Sequence, residues 1–478
     1  MDNITCLHQL LCRFQSADEA AVAFSVYDGE KTQDITYRQF LADILTAAGY
    51  FRDQNICGRH VAIAAATGYR WIVLFFAVAA SGNVVVPLNP ELPGDLMQWQ
   101  CRKADISLLC HDDPRTADKA GDIPGIPFDA IGADVPLSVE EVYSHAEGET
   151  LLMMFTSGTT GKSKTVMLSS GNLFASVNNM IGIHRKRAAM GEREKYILSL
   201  PLYHIGSVRS MLIQLVQGEE IAVGRGAKYL FMDLPKLNPT RVDMVPAIAE
   251  SLVKIIRRTP REKWANYVGH NFKGIVAVGA AMKSSVSRYL LDQGVQIEVI
   301  FGMTESAGDG TLCEMDPEHI GSIGKPLGDV SFRIEEGEIL IRSDGVMKGY
   351  YKDPEETARV IADGWLHTGD MGYCDEAGYY YITGRKKNVI ILSNGENVNP
   401  EEIEAVFSEC EAVDECMVYS DGKGICADVF ANDRDAAAAY IKQYNERMPL
   451  YRQVYKVNYT TEPMPKTGSG KLRRKENT

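Results

Sequence analysis

The stretch "GRHVAIAAATGYRWIVLFFAVAASGNVVVPLNPELP", residues 58–93, limits the possible folds more than any other. A short apolar run ends at a Thr-Gly, a longer apolar run ends at Ser81-Gly82-Asn83, and "NVVVPL" follows. Strand, helix and strand in that order make a βαβ unit, whose parallel strands are apolar on both faces because helices cover both sides. The apolar core "WIVLFFAVAASGNVVV" is broken by Ser81, Gly82 and Asn83 and is too short to span a bilayer. "FKGIVAVGAAMKSSVSRYLLDQGVQIEVIFGMTE", residues 272–305, repeats the pattern, so the middle of the chain is expected to be doubly wound α/β.

Beyond about residue 328 the texture changes. "VSFRIEEGEILIRSDGVMKGYY" and "YCDEAGYYYITGRKKNVIILSNG" are short strands punctuated by Gly and Asp-Gly turns, which predicts antiparallel hairpins. "VNPEEIEAVF" predicts a helix with Asn399 as N-cap and Pro400 at the first helical position. Glu401 and Glu402 complement its positive end, and Ile403, Val406 and Phe407 form the apolar face. The basic end "PMPKTGSGKLRRKENT" has no apolar periodicity and by itself reads as an unstructured tail.

A chain of 478 residues is long enough for two to four domains. Its formal net charge of −13 argues against a nucleic-acid binder working by bulk attraction to phosphates. The ten cysteines are scattered without CxxC or zinc spacing, as in a reduced compartment. No charged and apolar leader opens the chain, so a cytoplasmic protein is expected.

After the apolar run "LLMMF" comes "FTSGTTGKSKTVMLSSGNL", residues 155–173. The amides of Gly158 and Gly161, the hydroxyls of Thr156, Ser157, Thr159 and Thr160, and the cations Lys162 and Lys164 could wrap a triphosphate. "GKS" is not a Walker loop, because that motif needs glycine where Thr156 stands. The loop reads as a strand-to-helix turn, with "GNLFASVNNMI" as the helix whose free amides gather the anion.

Eight segments in collinear order now carry a resemblance. The loop, "VPLNPELP", "PLYHIG", "FGMTES", "GEILIRSDGVMKGYYKDPEET", "DGWLHTGD", "GRKKNVIILSNGENVNPEEIE" and "PKTGSGKLRRK" resemble the acyl-adenylate-forming, AMP-binding superfamily. Most similar is a bacterial fatty-acyl-CoA synthetase of the long-chain type. The loop departs from the pattern at Ser163, where proline is usual, and at Thr165, where glycine is usual.

The resemblance implies a large N-terminal domain over residues 1–386 and a small mobile α+β domain over 387–478, hinged at Lys387. It implies ATP and Mg2+, with CoA as the acceptor or a separate acyl-carrier protein in its place. The nucleotide is expected to lie among the loop residues Thr156 to Lys162, the strip Gly279, Ala280 and Ala281, the motif Phe301, Gly302, Met303 and Thr304, and Asp370, Ile382 and Arg385. Phe301 resembles the lid on adenine, Thr304 the hydroxyl on the α-phosphate, Glu305 the Mg2+ carboxylate, and Asp370 the acceptor of the ribose diol. Lys471 matches the lysine that bridges the attacking carboxylate and the α-phosphate, and Gly395 the backbone that admits the thiol.

His204 stands where amino-acid-activating members usually carry an aspartate, which favours a plain carboxylic acid with His204 at the wall of its pocket. Met211, Leu212 and Leu215 are either core or acyl-chain wall. The expected reaction is AMP-forming activation of a carboxylic acid and transfer to CoA, with a fatty acid first and an aryl or small acid, or a carrier-protein acceptor, as alternatives. Two further readings are a P-loop-like NTPase, which the misplaced glycine disfavours, and a non-catalytic relative, which should lack Glu305 or Lys471.

Overall fold

The computed structural model describes residues 3–146, 148–156, 163–189, 194–392 and 395–466, with 472 and 474, and side chains of the long helix only as far as residue 183. Ser157, Gly158, Thr159, Thr160, Gly161, Lys162 and Lys471 lie outside the described residues.

Residues 58–93 fold as their pattern requires. The strand His60–Ala64 and the strand Val84–Pro87 pair in parallel, joined by the helix Tyr69–Ala80. Every residue of that helix from Trp71 to Ala80 is buried, so it is an internal packing element. No helix among the described residues is long and apolar enough to cross a membrane.

These strands belong to a seven-stranded sheet that also contains Ile106–His111 and Thr150–Phe155. A nine-stranded sheet holds Arg241–Met244, Gly274–Ala277 and Gln296–Gly302 as parallel neighbours. Antiparallel strands appear at its edges, and the doubly wound α/β expectation holds.

After residue 330 the predicted hairpins are present. Ser331–Glu335 pairs antiparallel with Glu338–Arg342, which pairs with Trp365–Cys374, which pairs with Tyr380–Arg385. A separate hydrophobic cluster, drawn only from residues after 389, packs Ile403 and Phe407 against Val418, Val429 and Ile441. Together these parts make a large N-terminal α/β unit and a small C-terminal one.

The predicted C-terminal helix is Pro400–Ser408, with proline at its start and Glu401 and Glu402 in the first turn. Two details differ. The Asn399 side chain does not cap the helix; its Nδ2 donates to Glu402 Oε1 at 3.1 Å and Thr383 Oγ1 at 3.3 Å. Val406 is 40% exposed, so the buried face is Pro400, Ile403 and Phe407. A single turn of spacing does not decide which flank of an apolar stripe meets the sheet.

Candidate active site

The segment around the Gly/Ser/Thr loop is framed differently from its sequence reading. Thr150–Phe155 is followed by a second strand, Thr165–Ser169, paired antiparallel to it from Thr150↔Ser169 to Phe155↔Thr165. The helix begins only at Ser170. The loop therefore spans a β-hairpin, closed at its base by Thr156 N–H donating to Lys164 O at 3.0 Å and Lys164 N–H to Thr156 Oγ1 at 3.3 Å. No helix N-terminus is available at its end, so the anion-gathering argument from helix amides does not apply here.

Thr165 explains itself in this geometry, because a β-branched residue suits the buried strand position it occupies. Lys164 pairs with Glu356 and lies 4.8 Å over the Tyr350 ring. The Arg359 guanidinium, together with Lys164, holds the Glu356 carboxyl down at about 2.

The strand Gln296–Gly302 delivers the "FGMTES" segment, which turns sharply at Thr304–Ser306. A Cβ on Gly302 would lie 2.3 Å from Gly308 O, so only glycine lets the turn fold back on its own strand. Phe301 is partly buried, with its ring edge-on to Phe332 at 6.2 Å. Met303 and Thr304 are half-buried, whereas Glu305 is buried and its Oε1 accepts from the Tyr350 hydroxyl at 2.9 Å. Burial, reinforced by Glu305, pushes the Tyr350 hydroxyl far above its ordinary range, so it stays a donor. Tyr350 was missed in the sequence, although it stands inside the quoted "KGYYKDPEET".

Gly279, Ala280 and Ala281 are exposed where Gly274–Ala277 ends and before the helix Ser284–Asp292. Helix–sheet packing, the ordinary use of such a strip, is therefore not their role. The carboxyl ends of parallel strands are where open α/β sheets receive ligands.

On the second hairpin Asp370 and Arg385 are cross-strand partners, with Arg385 Nε 2.8 Å from Asp370 Oδ1. Asp370 is buried, and Ile382 is 36% exposed on the same hairpin.

Lys386–Asn388 forms a short 3-10 turn immediately after Arg385. Partial desolvation, then the charges of Arg385, Lys164 and Arg474, hold the Lys387 ammonium below its usual range. Lys164 beside the loop, Arg385 and Arg474 thus all lie close enough to Lys387 to act on its charge, with Glu401 opposing them. Gly395 is exposed at φ +82°, and a Cβ there meets nothing within 4 Å among the described residues.

The basic tail is not simply solvated. Arg474 Nη2 sits 2.5 Å from Glu404 Oε2 and 3.2 Å from Glu401 Oε1, and Nη1 donates to Val418 O at 3.2 Å. Burial pushes the Glu404 carboxyl up to about 7 against the pull of Arg474. Lys466 pairs with Glu415 at 2.6 Å, so the tail is tied to the C-terminal unit on both sides of Lys471.

His204 is the N-cap residue of the helix Ile205–Gln217 and is half-buried, its ring 4.7 Å from that of Tyr203. Met211, Leu212 and Leu215 are 0–2% exposed and belong to the main hydrophobic cluster, so they are core.

The fold and the residues gathered here define a class: two-part α/β enzymes that activate a substrate with a nucleotide. The chain belongs to the AMP-binding enzyme family, matching it over residues 13–351, and its C-terminal domain family over residues 387–478. It is an AMP-forming acid–thiol ligase. The 2-succinylbenzoate–CoA ligase of Bacillus anthracis (strain A0248) is 28% identical over 468 residues, covering 93% of each chain. That of Bacillus cytotoxicus is 27% identical over 450 residues, covering 88% of each. Among solved structures, O-succinylbenzoate CoA synthetase of Bacillus subtilis in complex with AMP superposes with a TM-score of 0.84 at 23% identity, covering 97% of both chains. A Mycobacterium tuberculosis fatty acyl CoA synthetase gives 0.73 at 22% identity, covering 98% of this chain and 96% of the other.

Proposed function

We propose that the protein activates an aryl carboxylic acid of the 2-succinylbenzoate kind, forming an acyl-adenylate and then a CoA thioester. The observation that carries this reading is the end-to-end match to curated 2-succinylbenzoate–CoA ligases, 93% of both chains in one case. The fatty acid expected from the "GRKKN…SNGEN" resemblance gives way to this alternative. The aliphatic residues that could have walled an acyl chain, Met211, Leu212 and Leu215, are consumed by the core. CoA, rather than a carrier protein, is the acceptor in the names of these relatives.

ATP, Mg2+ and CoA are the reactants and cofactor of the scheme. In the first half-reaction a carboxylate oxygen attacks the α-phosphorus and pyrophosphate leaves. In the second a thiol sulfur attacks the acyl carbonyl and AMP leaves. Both reactants of the first step are anions, so fixed positive charge and alignment supply most of the acceleration.

Thr304 would hold an α-phosphate oxygen, Asp370 the ribose diol with Arg385 fixing its orientation, and Phe301 with Gly279–Ala281 the faces of the adenine. Glu305 would hold Mg2+, with the Tyr350 hydroxyl donating to its Oε1 and fixing the carboxylate's orientation. Mg2+ would neutralise charge on the departing pyrophosphate. Lys471 would bridge the acid and the α-phosphate. A domain boundary at residues 386/387, with Lys387 as hinge, would let the C-terminal unit present Lys471 in the first step and Gly395 in the second.

Acid-dependent ATP–pyrophosphate exchange without CoA, across aryl, fatty and amino acids, tests this reading. Exchange with 2-succinylbenzoate or another aryl acid is expected. Exchange with fatty acids alone would overturn the aryl assignment. Orthophosphate release from ATP without exchange would overturn adenylation itself.

A further inference from the structure

Behind the Thr304–Ser306 turn lies a buried ion pair that the scheme above does not use. Asp309 is fully buried and Arg209, on the helix Ile205–Gln217, is 3% exposed. Arg209 Nη2 lies 3.7 Å from Asp309 Oδ1 and donates to Ser176 O at 3.2 Å. Asp309 Oδ2 accepts from Asn179 Nδ2 at 2.8 Å and from Ser343 Oγ at 2.6 Å. Three separate segments therefore converge on the turn's one carboxylate: the helix of residues 170–189, the helix carrying Arg209, and the loop at Ser343.

The helix of residues 170–189 and the loop after Ser343 also hold the turn by a second bond, and the turn is braced from within. Ser176 Oγ donates to Ala307 O at 3.0 Å, and Ser306 Oγ to Asp309 O at 2.6 Å. Ser343 Oγ accepts from Gly345 N–H at 2.8 Å, and two residues on Met347 N–H donates to Glu305 O at 2.8 Å. A Cβ on Gly308 would come within 2.9 Å of Arg209 Cδ, so the arginine stem is packed directly against the turn. Ala307 takes a left-handed φ of +53°, which a non-glycine residue keeps only where its surroundings impose it.

An ion pair so buried is poor evidence of stabilisation, because desolvating two charges offsets most of their attraction. Burial raises the Asp309 carboxyl and lowers the Arg209 guanidinium relative to their ordinary values, each against the pull of the other. Asp309 Oδ1 and Arg209 Nε have no hydrogen-bond partner among the described residues, so across its 3.7 Å contact the pair interacts by charge and packing. What it does is join two helices and a loop to the backbone that carries Thr304 and Glu305.

We propose that the Arg209–Asp309 pair is a positioning element that holds the Thr304–Glu305 turn in register for adenylate formation. The proposal rests on the adenylation reading given above. Arg209 and Asp309 touch no reactant in it; they act through the turn.

The test is ATP–pyrophosphate exchange by Asp309→Asn, Arg209→Gln and the double variant, with the acid the wild type prefers, alongside Mg2+ titrations and thermal melts. Misplacement of a reacting group by about 1 Å costs roughly a hundredfold in rate, so Asp309→Asn is expected to lower kcat by about that factor while the KM for ATP stays within about threefold. The Mg2+ concentration for half activation should rise, which loss of folded enzyme would not produce. The double variant should be no worse than the worse single one, because the two residues act as one unit.

Ser343→Ala, which removes one donor to Asp309, should give an intermediate loss of about tenfold, and it serves as the readout where Asp309→Asn does not fold. Exchange by Asp309→Asn within twofold of wild type, or singles whose losses multiply in the double variant, would overturn the proposal. So would an unchanged Mg2+ midpoint. A folded wild type silent with every acid would overturn the adenylation reading and this proposal with it, whereas an active wild type with an indifferent Asp309→Asn would overturn only this one.

Discussion

Asp243 offers the clearest test of the electrostatics. It lies within the strand Arg241–Met244, is 4% exposed, and its Oδ1 finds no hydrogen-bond partner among the described residues. Burial, helped by the nearby Glu298 and opposed by the Ser210 hydroxyl, pushes its carboxyl from 3.8 up to about 7. The folded protein therefore binds this proton more tightly than the unfolded chain does. Stability from this group is full below about pH 4 and declines as pH rises towards 7, after which no more is lost. At 1.36 kcal/mol per pH unit the decline amounts to about 4 kcal/mol at most.

Asp243→Asn keeps the shape and removes the titration. At pH 4 the variant should melt within about 1 °C of the wild type, and at pH 8 it should melt higher. With an unfolding entropy of about 2.1 cal/mol/K per residue, a chain this long gains roughly 1 °C per kcal/mol, hence up to about 4 °C. Calorimetry from pH 4 to 8 at constant salt measures the difference between the two proteins, so other titrating groups cancel. Parallel curves, or an Asn variant less stable than wild type at pH 8, would refute the assignment of a raised, uncompensated carboxyl.

Three further outcomes follow from the proposed site. Lys471→Ala should nearly abolish adenylate formation while leaving thiolysis of a supplied acyl-adenylate substantially intact, as read by exchange and by thioester release; equal loss in both removes the assigned role. Gly395→Leu should spare exchange and damage CoA-dependent turnover. Because φ there is +82°, Gly395→Ala must be measured beside it to separate backbone strain, about 1–2 kcal/mol, from bulk in the thiol path. Arg474→Gln should strand the Glu404 carboxyl and loosen the tail, costing about 1–3 kcal/mol of stability in the C-terminal unit; an unchanged melting profile would count against the tail being anchored there.

Much of this protein is legible from its residues alone. Strict punctuation by Gly, Pro and Asp-Gly separates runs whose length and apolarity identify buried strands and helices, because those signals act over a few residues. The parallel pairing of residues 60–64 with 84–87, the late antiparallel hairpins and the helix at 400–408 were all available that way. The eight motifs named the family for the same reason, since each is a local constellation of fixed spacing.

What tertiary structure alone decided is how distant segments meet. "TVMLS" pairs with Thr150–Phe155 as a strand and so delays the helix to Ser170, which the run of motifs alone did not show. The exposure of Gly279–Ala281, the burial of Met211 and the docking of Arg474 on Glu404 depend on neighbours that no spacing rule reaches. Tyr350 on Glu305 and Arg209 beside Asp309 join residues 45 to 100 positions apart. Such contacts exist only once the sheets have closed, and burial then makes each one consequential, because an unpaired charge inside the protein is costly where the same charge on the surface is nearly free.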